Sequence, residues 1–506
     1  MSEQQKSSVE LRECPKDSEP EPSTKPVDTV HHDEALKVLA AYEGDQAWTD
    51  QEEGQLRRKL DLKLLPVLCL TYGLQYYDKA MLSQAAIFGI REDLDLLTGD
   101  RYSMTAAIFY VGFIVGAYPA MYLAQRYPIE RVASAIVFSW GVCLICTVTC
   151  TNYQGIYAQR FFLGLLESGI SPLFMLIVGS FYRKDEQAMR MGIWYSCTGY
   201  VSCVSPLVNY GFGSLSGSST WKYMYYFAGA LTIIWGVLLY WAIPPDPVRV
   251  KGFNERERYI LVARLRTNNS GVRNTHFKTS QALELLTDVK FWLMFSMACL
   301  SMIANAPIST FTPIIISGFG YSGLNALLLV IPTGAYAGTM MLVFPYLAFR
   351  YKNIRSWLYV VAQVLTTAAA LILFLAPLSA LGALLFGVII LPSTGAGYAV
   401  LMGLSLANTA GYTKRTLSSS GLYIGYCLGN LVGPFAFKPN DAPRYPRGFI
   451  VVVVTSIAAG VAVVIYRGIC VRLNRKRDQA GVEEGFEHAY EDDLTDLKNP
   501  QFRYIL

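Results

Sequence analysis

Arg160 and Glu167 stand seven residues apart in the stretch Gln154 to Tyr182, QGIYAQRFFLGLLESGISPLFMLIVGSFY, which carries no other charge. That stretch has the length of a helix that crosses a bilayer. An ionised side chain at the centre of such a helix costs roughly 2.5–3.5 kcal/mol on insertion scales, so two of them need a reason. Seven residues at about 100° each return to nearly the same face, about 10 Å further along. The two side chains are too far apart to bond each other, yet one cavity can hold both. A second pair, Asp78-Lys79, sits in another apolar run. The cations can capture an anion. A carboxylate in apolar surroundings resists ionisation, so it can bind and release protons near neutrality. A nearby cation opposes this and an arriving anion relieves it, which couples the two events. The alternative is a structural ion-pair cluster that ties two helices together.

Asp78 lies about 16 residues, or about 24 Å, from the start of its helix. Arg160 lies about 6 residues, or about 9 Å, from the start of an oppositely directed one. In a layer roughly 30 Å thick these depths nearly coincide. Asp78 is therefore expected to pair with Arg160, with Glu167 deeper, near the midplane. The remaining polar candidates are uncharged: Gln75 and Tyr76 just before Asp78, Asn305 in the seventh apolar run, and Tyr426 and Asn430 in the eleventh. Tyr426 and Asn430 are one helical turn apart and share a face. None of the four histidines falls in an apolar run, so a proton relay would have to use carboxylates.

These residues need helices to hold them. The 506 residues are 53% hydrophobic and only 16% charged, with a mean hydropathy of +0.31; soluble domains carry about 25% charged residues. Twelve runs of membrane length follow one another, near 62–88, 102–124, 131–152, 154–182, 189–213 and 222–243, then 291–317, 324–349, 355–377, 379–407, 416–437 and 447–470. The expected fold is an all-α membrane protein of twelve transmembrane helices in two six-helix halves. Segment 1–60 reads as a disordered tail, 61–243 as the N-terminal half, 244–290 as a central loop, 291–470 as the C-terminal half and 471–506 as a second tail. Basic residues gather in alternate loops (Arg126 and Arg131; Arg183 and Arg190; Arg350 and Arg355; Lys414 and Arg415), while the first opposite loop holds Glu92, Asp93, Asp95 and Asp100. The positive-inside rule then places both termini and the central loop in the cytoplasm. Asn268-Asn269-Ser270 matches a glycosylation sequon, which this orientation keeps from the lumen.

The halves echo each other. YLAQRY, Tyr122 to Tyr127, ends the second run, and YLAFRY, Tyr346 to Tyr351, ends the eighth. Each follows a GxxxG pair, Gly112/Gly116 and Gly334/Gly338, which suits close helix approach. Equivalent placement in both halves argues for a parallel internal repeat. Nothing in the charge pattern points to nucleic acid. No nucleophile–base or metal-ligand set points to an enzyme, and no cofactor or metal is expected.

RFFLGLLESGISPLFMLIVGSFYRKDEQAMRMGIWY, Arg160 to Tyr195, resembles the fourth-helix signature of the anion:cation symporter family within the major facilitator superfamily. NTAGYTKRTLSSSGLYIGYCLGNLVGPFAFKPNDAPRYPRG, Asn408 to Gly448, resembles its fungal allantoate permease branch, and the closing DLTDLKNPQFRYIL is similar to that branch's tail. The resemblance implies alternating access and proton-coupled uptake of a small organic anion. It also implies that Asp78 and Glu167 carry the coupling proton while Lys79 and Arg160 meet the substrate's carboxylate. Arginine is commoner than Lys79 in relatives, and lysine lacks the two-pronged grip of a guanidinium. Gln125 and Pro128 replace the Asp and Gly of the superfamily's pattern after helix 2, and Phe113 stands where a tyrosine is frequent. The expected protein is thus a symporter of the plasma membrane, or alternatively of a vacuolar or other internal membrane, working as a monomer in the lipid bilayer, for a carboxylate such as allantoate, a ureido acid or a vitamin-like acid. A proton-antiport exporter, or a receptor that keeps the fold without transporting, is the alternative.

Overall fold

Long apolar segments broken by charged, Gly and Pro residues become long helices. The computed structural model describes residues 42, 44, 47–213, 219–244, 247, 250, 252–266, 277–321, 323–481 and 494–506. The sequon at Asn268-Asn269-Ser270 and most of segment 1–60 lie outside the described residues. Among those described, the twelve long helices are α1 (Asp50–Ala85), α2 (Arg101–Arg126), α3 (Ile129–Ile145), α4 (Tyr153–Glu167 continued by Ile170–Phe181), α5 (Lys184–Gly213) and α6 (Trp221–Ala242), then α7 (Val289–Ala306), α8 (Val330–Arg350), α9 (Arg355–Leu375), α10 (Leu381–Ile390 continued by Ser393–Ala407), α11 (Tyr412–Val432) and α12 (Pro446–Ala480).

The start of α1 is written in its first residues. Thr49 accepts from the Glu52 N–H at 3.2 Å and the Glu52 carboxylate accepts from the Thr49 N–H at 3.0 Å. This reciprocal cap, with Asp50, Glu52 and Glu53 at the positive end of the helix dipole, starts the helix inside the segment read as a tail. Eight of the twelve helices are long and apolar enough to cross a bilayer, and α7 joins them when taken with the preceding Thr279–Thr287 across a 68° bend. Twelve comparably apolar spans were expected; α1, α5 and α11 fall short because they carry polar side chains that face the interior rather than lipid. Phe162, Trp241, Val364 and Leu375 remain exposed on the outside, where hydrocarbon is the solvent.

Helix pairing repeats between the halves. In the first, α1 packs on α5 and α6, α2 on α4, and α3 on α6; in the second, α7 packs on α11 and α12, α8 on α10, and α9 on α12. The break between the two parts of α4 falls at Ser168-Gly169, and that of α10 at Leu391-Pro392. The 224-residue offset of the two YLAxRY copies carries Ser168 onto Pro392, so the breaks are equivalent. The halves meet chiefly where α5 lies on α8 and α2 on α11.

The two GxxxG pairs act at different seams. A Cβ on Gly112 would run into the Phe161 carbonyl of α4, and one on Gly164 into the Phe109 carbonyl of α2. In the second half, a Cβ on Gly334 would crowd Gly199 and Ser202 of α5, across the boundary between halves. Gly164→Val is expected to push α2 from α4 and cost about 1–3 kcal/mol, read as a lower melting midpoint of the purified protein in detergent. Gly382→Ala, whose added atom meets nothing within 4 Å, is the control; equal midpoints for the two variants would refute the close-approach argument.

Candidate solute-binding cavity

Eight helices, four from each half, line a central cavity with about 940 Å³ of empty space, its open mouth included. Gln75, Tyr76 and Lys79 come from α1, Tyr110 and Phe113 from α2, Glu167 and Ser171 from α4, and Tyr195 and Thr198 from α5. The second half adds Asn305 from α7, Thr333 and Met341 from α8, Pro392 from α10, and Tyr423 and Tyr426 from α11. The α1 contribution follows from spacing: Tyr72, Gln75, Tyr76 and Lys79 are three or four residues apart and share one stripe.

Lys79 and Glu167 are the two side chains of the Asp, Glu, Lys and Arg types in the lining, and both belong to the first half. The Lys79 ammonium donates to the Tyr426 hydroxyl at 3.1 Å, reaching across to the other half. It also lies 5.0 Å from the Tyr110 ring centroid and 5.5 Å from that of Tyr426. Glu167 is 1% exposed, and neither of its carboxylate oxygens has a hydrogen-bond partner. Gln75 donates to the Glu167 backbone carbonyl at 3.3 Å, tying α1 to α4 beside the break. No ion pair within 4 Å joins any two of Asp78, Lys79, Arg160 and Glu167, although Glu167 lies within electrostatic reach of the other three and Asp78 within that of Arg160.

The pairing of Asp78 with Arg160 expected from depth is not formed. Asp78 turns away from the cavity into the first half, where Trp140 Nε1 of α3 donates at 2.8 Å and Thr232 Oγ1 of α6 at 3.0 Å, both to Oδ2. Its Oδ1 is buried without a partner. Depth along a helix says nothing of direction around it, and Asp78 sits about 100° from Lys79. Arg160, also outside the lining, donates from Nη2 to the Tyr225 hydroxyl of α6 at 2.8 Å. One cavity was expected to hold both Arg160 and Glu167; it reaches Glu167 alone, because Arg160 lies two turns nearer the helix start, where α4 is enclosed. Asn430 is behind the lining too: it accepts from Asn305 at 3.2 Å and donates to the Tyr426 carbonyl at 2.9 Å, supporting both residues that do face the cavity.

Aromatic rings cluster on the side of the cavity toward the face that carries the termini. Tyr72 of α1 meets Trp194 of α5 at 4.5 Å between centroids, and Phe174 of α4 meets the same indole at 5.8 Å. Tyr195 of α5 faces Tyr398 of α10 at 5.8 Å, and Tyr398 faces Tyr426 at 5.3 Å, so the two halves interlock here. At the opposite face the Tyr102 ring lies 6.1 Å from that of Phe311, and its hydroxyl donates to the Thr310 carbonyl at 3.4 Å. Trp140, Thr232, Tyr225 and Tyr110 escaped the sequence reading because each is uncharged and ordinary in a membrane helix. The α2 stripe of Phe109, Tyr110 and Phe113 was the one signal that could have exposed Tyr110.

Two pseudo-equivalent bundles around one sparsely charged central cavity define a membrane transporter of small solutes. The chain belongs to the Major Facilitator Superfamily, whose family model matches residues 68–434. It is 32% identical to the allantoate permease of Saccharomyces cerevisiae over 492 residues, which cover 94% of this chain and 90% of the permease. It is 31% identical to the thiamine pathway transporter THI73 of the same yeast over 477 residues, 92% of this chain and 89% of that one. An uncharacterized transporter of Schizosaccharomyces pombe, C460.05, is 33% identical over 486 residues, 94% of this chain and 89% of its own. The fold is similar to that of the proton:xylose symporter XylE, with a TM-score of 0.62 at 15% identity over 79% of this chain and 94% of the symporter. A bacterial homolog of the human lysosomal transporter Spinster, in its inward-facing occupied conformation, superposes at 0.58, also at 15% identity, over 80% of this chain and 96% of that one. The protein is a transporter and not an enzyme.

The Asp78 geometry has a measurable consequence. Asp78→Asn keeps an oxygen for Trp140 and Thr232, whereas Asp78→Ala strands both donors. Asp78→Ala is expected to cost on the order of 2 kcal/mol more than Asp78→Asn, seen in detergent melting curves. Indistinguishable curves would show that these bonds do not hold α1 to α3 and α6.

Proposed function

We propose that the protein imports a small organic carboxylate together with a proton, by alternating access of two halves, 61–243 and 291–470, linked through 244–290. The observation that carries this reading is a lysine with no carboxylate partner sharing a cavity with a carboxylate that has no donor. Lys79 is the anion's point of attachment: an arriving carboxylate supplies the negative charge that the Tyr426 hydroxyl cannot. Glu167 exchanges the coupling proton with the cavity, since its acceptor-only ionised form finds no donor there. Gln75, Tyr76, Asn305 and Tyr426 shape the remaining polar contacts.

Asp78 and Arg160 act on this reading from behind the lining. Asp78 fixes α1 so that Lys79 points inward, and Arg160, reached by the field of both carboxylates, sets the cost of charging Glu167. Asn430 positions Tyr426. The aromatic seal on the terminal face and the lighter Tyr102–Phe311 contact opposite are the two barriers that open in turn. The terminal face is cytoplasmic, following the basic loops, and the membrane is the plasma membrane. The similarity to an allantoate permease favours a ureido or comparable small acid over a sugar.

Cells expressing the chain, offered labelled carboxylates at two external pH values, provide the test. Uptake is expected to rise as the outside is acidified. Lys79→Gln should cut it roughly tenfold to a hundredfold through loss of a charged hydrogen bond. Glu167→Gln should abolish the response to pH. A Glu167→Gln protein that keeps its pH dependence removes Glu167 from coupling, and efflux in place of accumulation overturns import.

A further inference from the structure

Residues 494–506 pack against the second half, outside the cavity lining. Asp496 is 1% exposed, and its carboxylate lies 2.6 Å from the Lys290 ammonium and 2.7 Å from that of Lys414. Lys414 also meets Asp288 and Glu284, each at 3.0 Å. Lys290, Lys414 and Arg477 against Asp288 and Glu284 leave one positive charge over, which Asp496 cancels. Burial works against the charged form of Asp496, but the two lysines prevail and hold its carboxyl below the usual range. The Tyr504 hydroxyl donates to the same carboxylate at 2.8 Å.

The grip on the peptide backbone is as specific. The Asn474 side chain accepts from the Tyr504 N–H and donates to the Tyr504 carbonyl, both at 2.9 Å. The Asn408 side chain does the same for Ile505, at 2.7 and 2.8 Å. Arg477 donates to the carbonyls of Asp496 at 2.6 Å and Phe502 at 2.7 Å, and the Arg355 N–H donates to the Leu506 carbonyl at 3.0 Å. Phe502 and Tyr504 are buried. These partners come from the terminal-face ends of α7, α9, α10, α11 and α12.

We propose that the terminal face of the second half is a peptide-binding site, floored by Lys290 and Lys414 and read along its length by Asn408 and Asn474. Its ligand is the chain's own segment 495–506, an acidic residue followed at short range by a Phe-x-Tyr pair. Docking ties five helix ends into one body, so that the second half moves as a unit when the halves rock. None of this rests on which solute is carried.

The test keeps the chain whole until it has folded. A site-specific protease sequence is inserted between Gly481 and Leu494, the purified protein is cut, and the fraction of tail that stays with the body is followed by size exclusion and mass spectrometry. The tail is expected to remain bound, and Asp496→Asn to release it at least about a hundredfold faster. Release should lower the melting midpoint. Arg503→Ala, which removes an exposed ion pair with Asp478, should leave retention within about twofold. If Asp496→Asn yields no folded protein, Asn408→Ala takes its place in the same assay with the same expected direction. Immediate loss of the tail from the unsubstituted protein, or equal retention with and without the substitution, overturns the proposal.

Discussion

Hydrocarbon offers no partner to an ion, so every charge sunk into this bundle must find compensation from the protein or face a space that water and solute can enter. The four charges of the first half divide along that line. Asp78 is met by an indole N–H and a hydroxyl and Arg160 by a phenol, all from α3 and α6 of the same half. Lys79 is met only by the Tyr426 phenol of the other half and the Glu167 carboxylate by no donor, and both face the cavity. On the proposed reading the bundle concentrates its electrostatic cost at one place, where a solute can offset it.

The architecture is repeated but the chemistry is not. Corresponding helices pair alike in both halves, and the breaks of α4 and α10 fall at equivalent positions. Where the first half buries Asp78 between α1 and α3, the second joins α7 and α9 through neutral groups: Ser301 bonds the Tyr359 hydroxyl at 2.6 Å and accepts from Gln363 at 3.0 Å. A neutral knot needs no counter-charge and is indifferent to protons. The glycines divide by seam instead, since Gly112 and Gly164 bring helices together within one half while Gly199 and Gly334 bring the two halves together.

The helices and the all-α fold were legible because a bilayer demands long apolar runs and punishes exceptions. The exceptions were legible for the same reason, and Lys79, Glu167, Gln75, Tyr76, Asn305 and Tyr426 do meet in one cavity. What could not be read was azimuth. Asp78 and Lys79 are neighbours in sequence and yet serve different sides of α1, and no charge marks Trp140 or Thr232 as the groups that receive Asp78. The end of the chain resembled a family's tail, but its docking depends on Asn408, Asn474 and Lys290, which lie far away in sequence and look unremarkable alone.

The Lys79–Tyr426 bond deserves weight because it spans the cavity from one half to the other. A phenol hydroxyl is a modest partner for an ammonium, and the two flanking rings add attraction that does not depend on charge neutralisation. On the proposed reading this bond is one tie between the halves that a carboxylate can outcompete, since a charged acceptor is roughly twice as strong. Binding would then break a tether between halves and build one between solute and α1. Affinity and freedom to rock would be gained in the same step, without any new contact elsewhere in the seam.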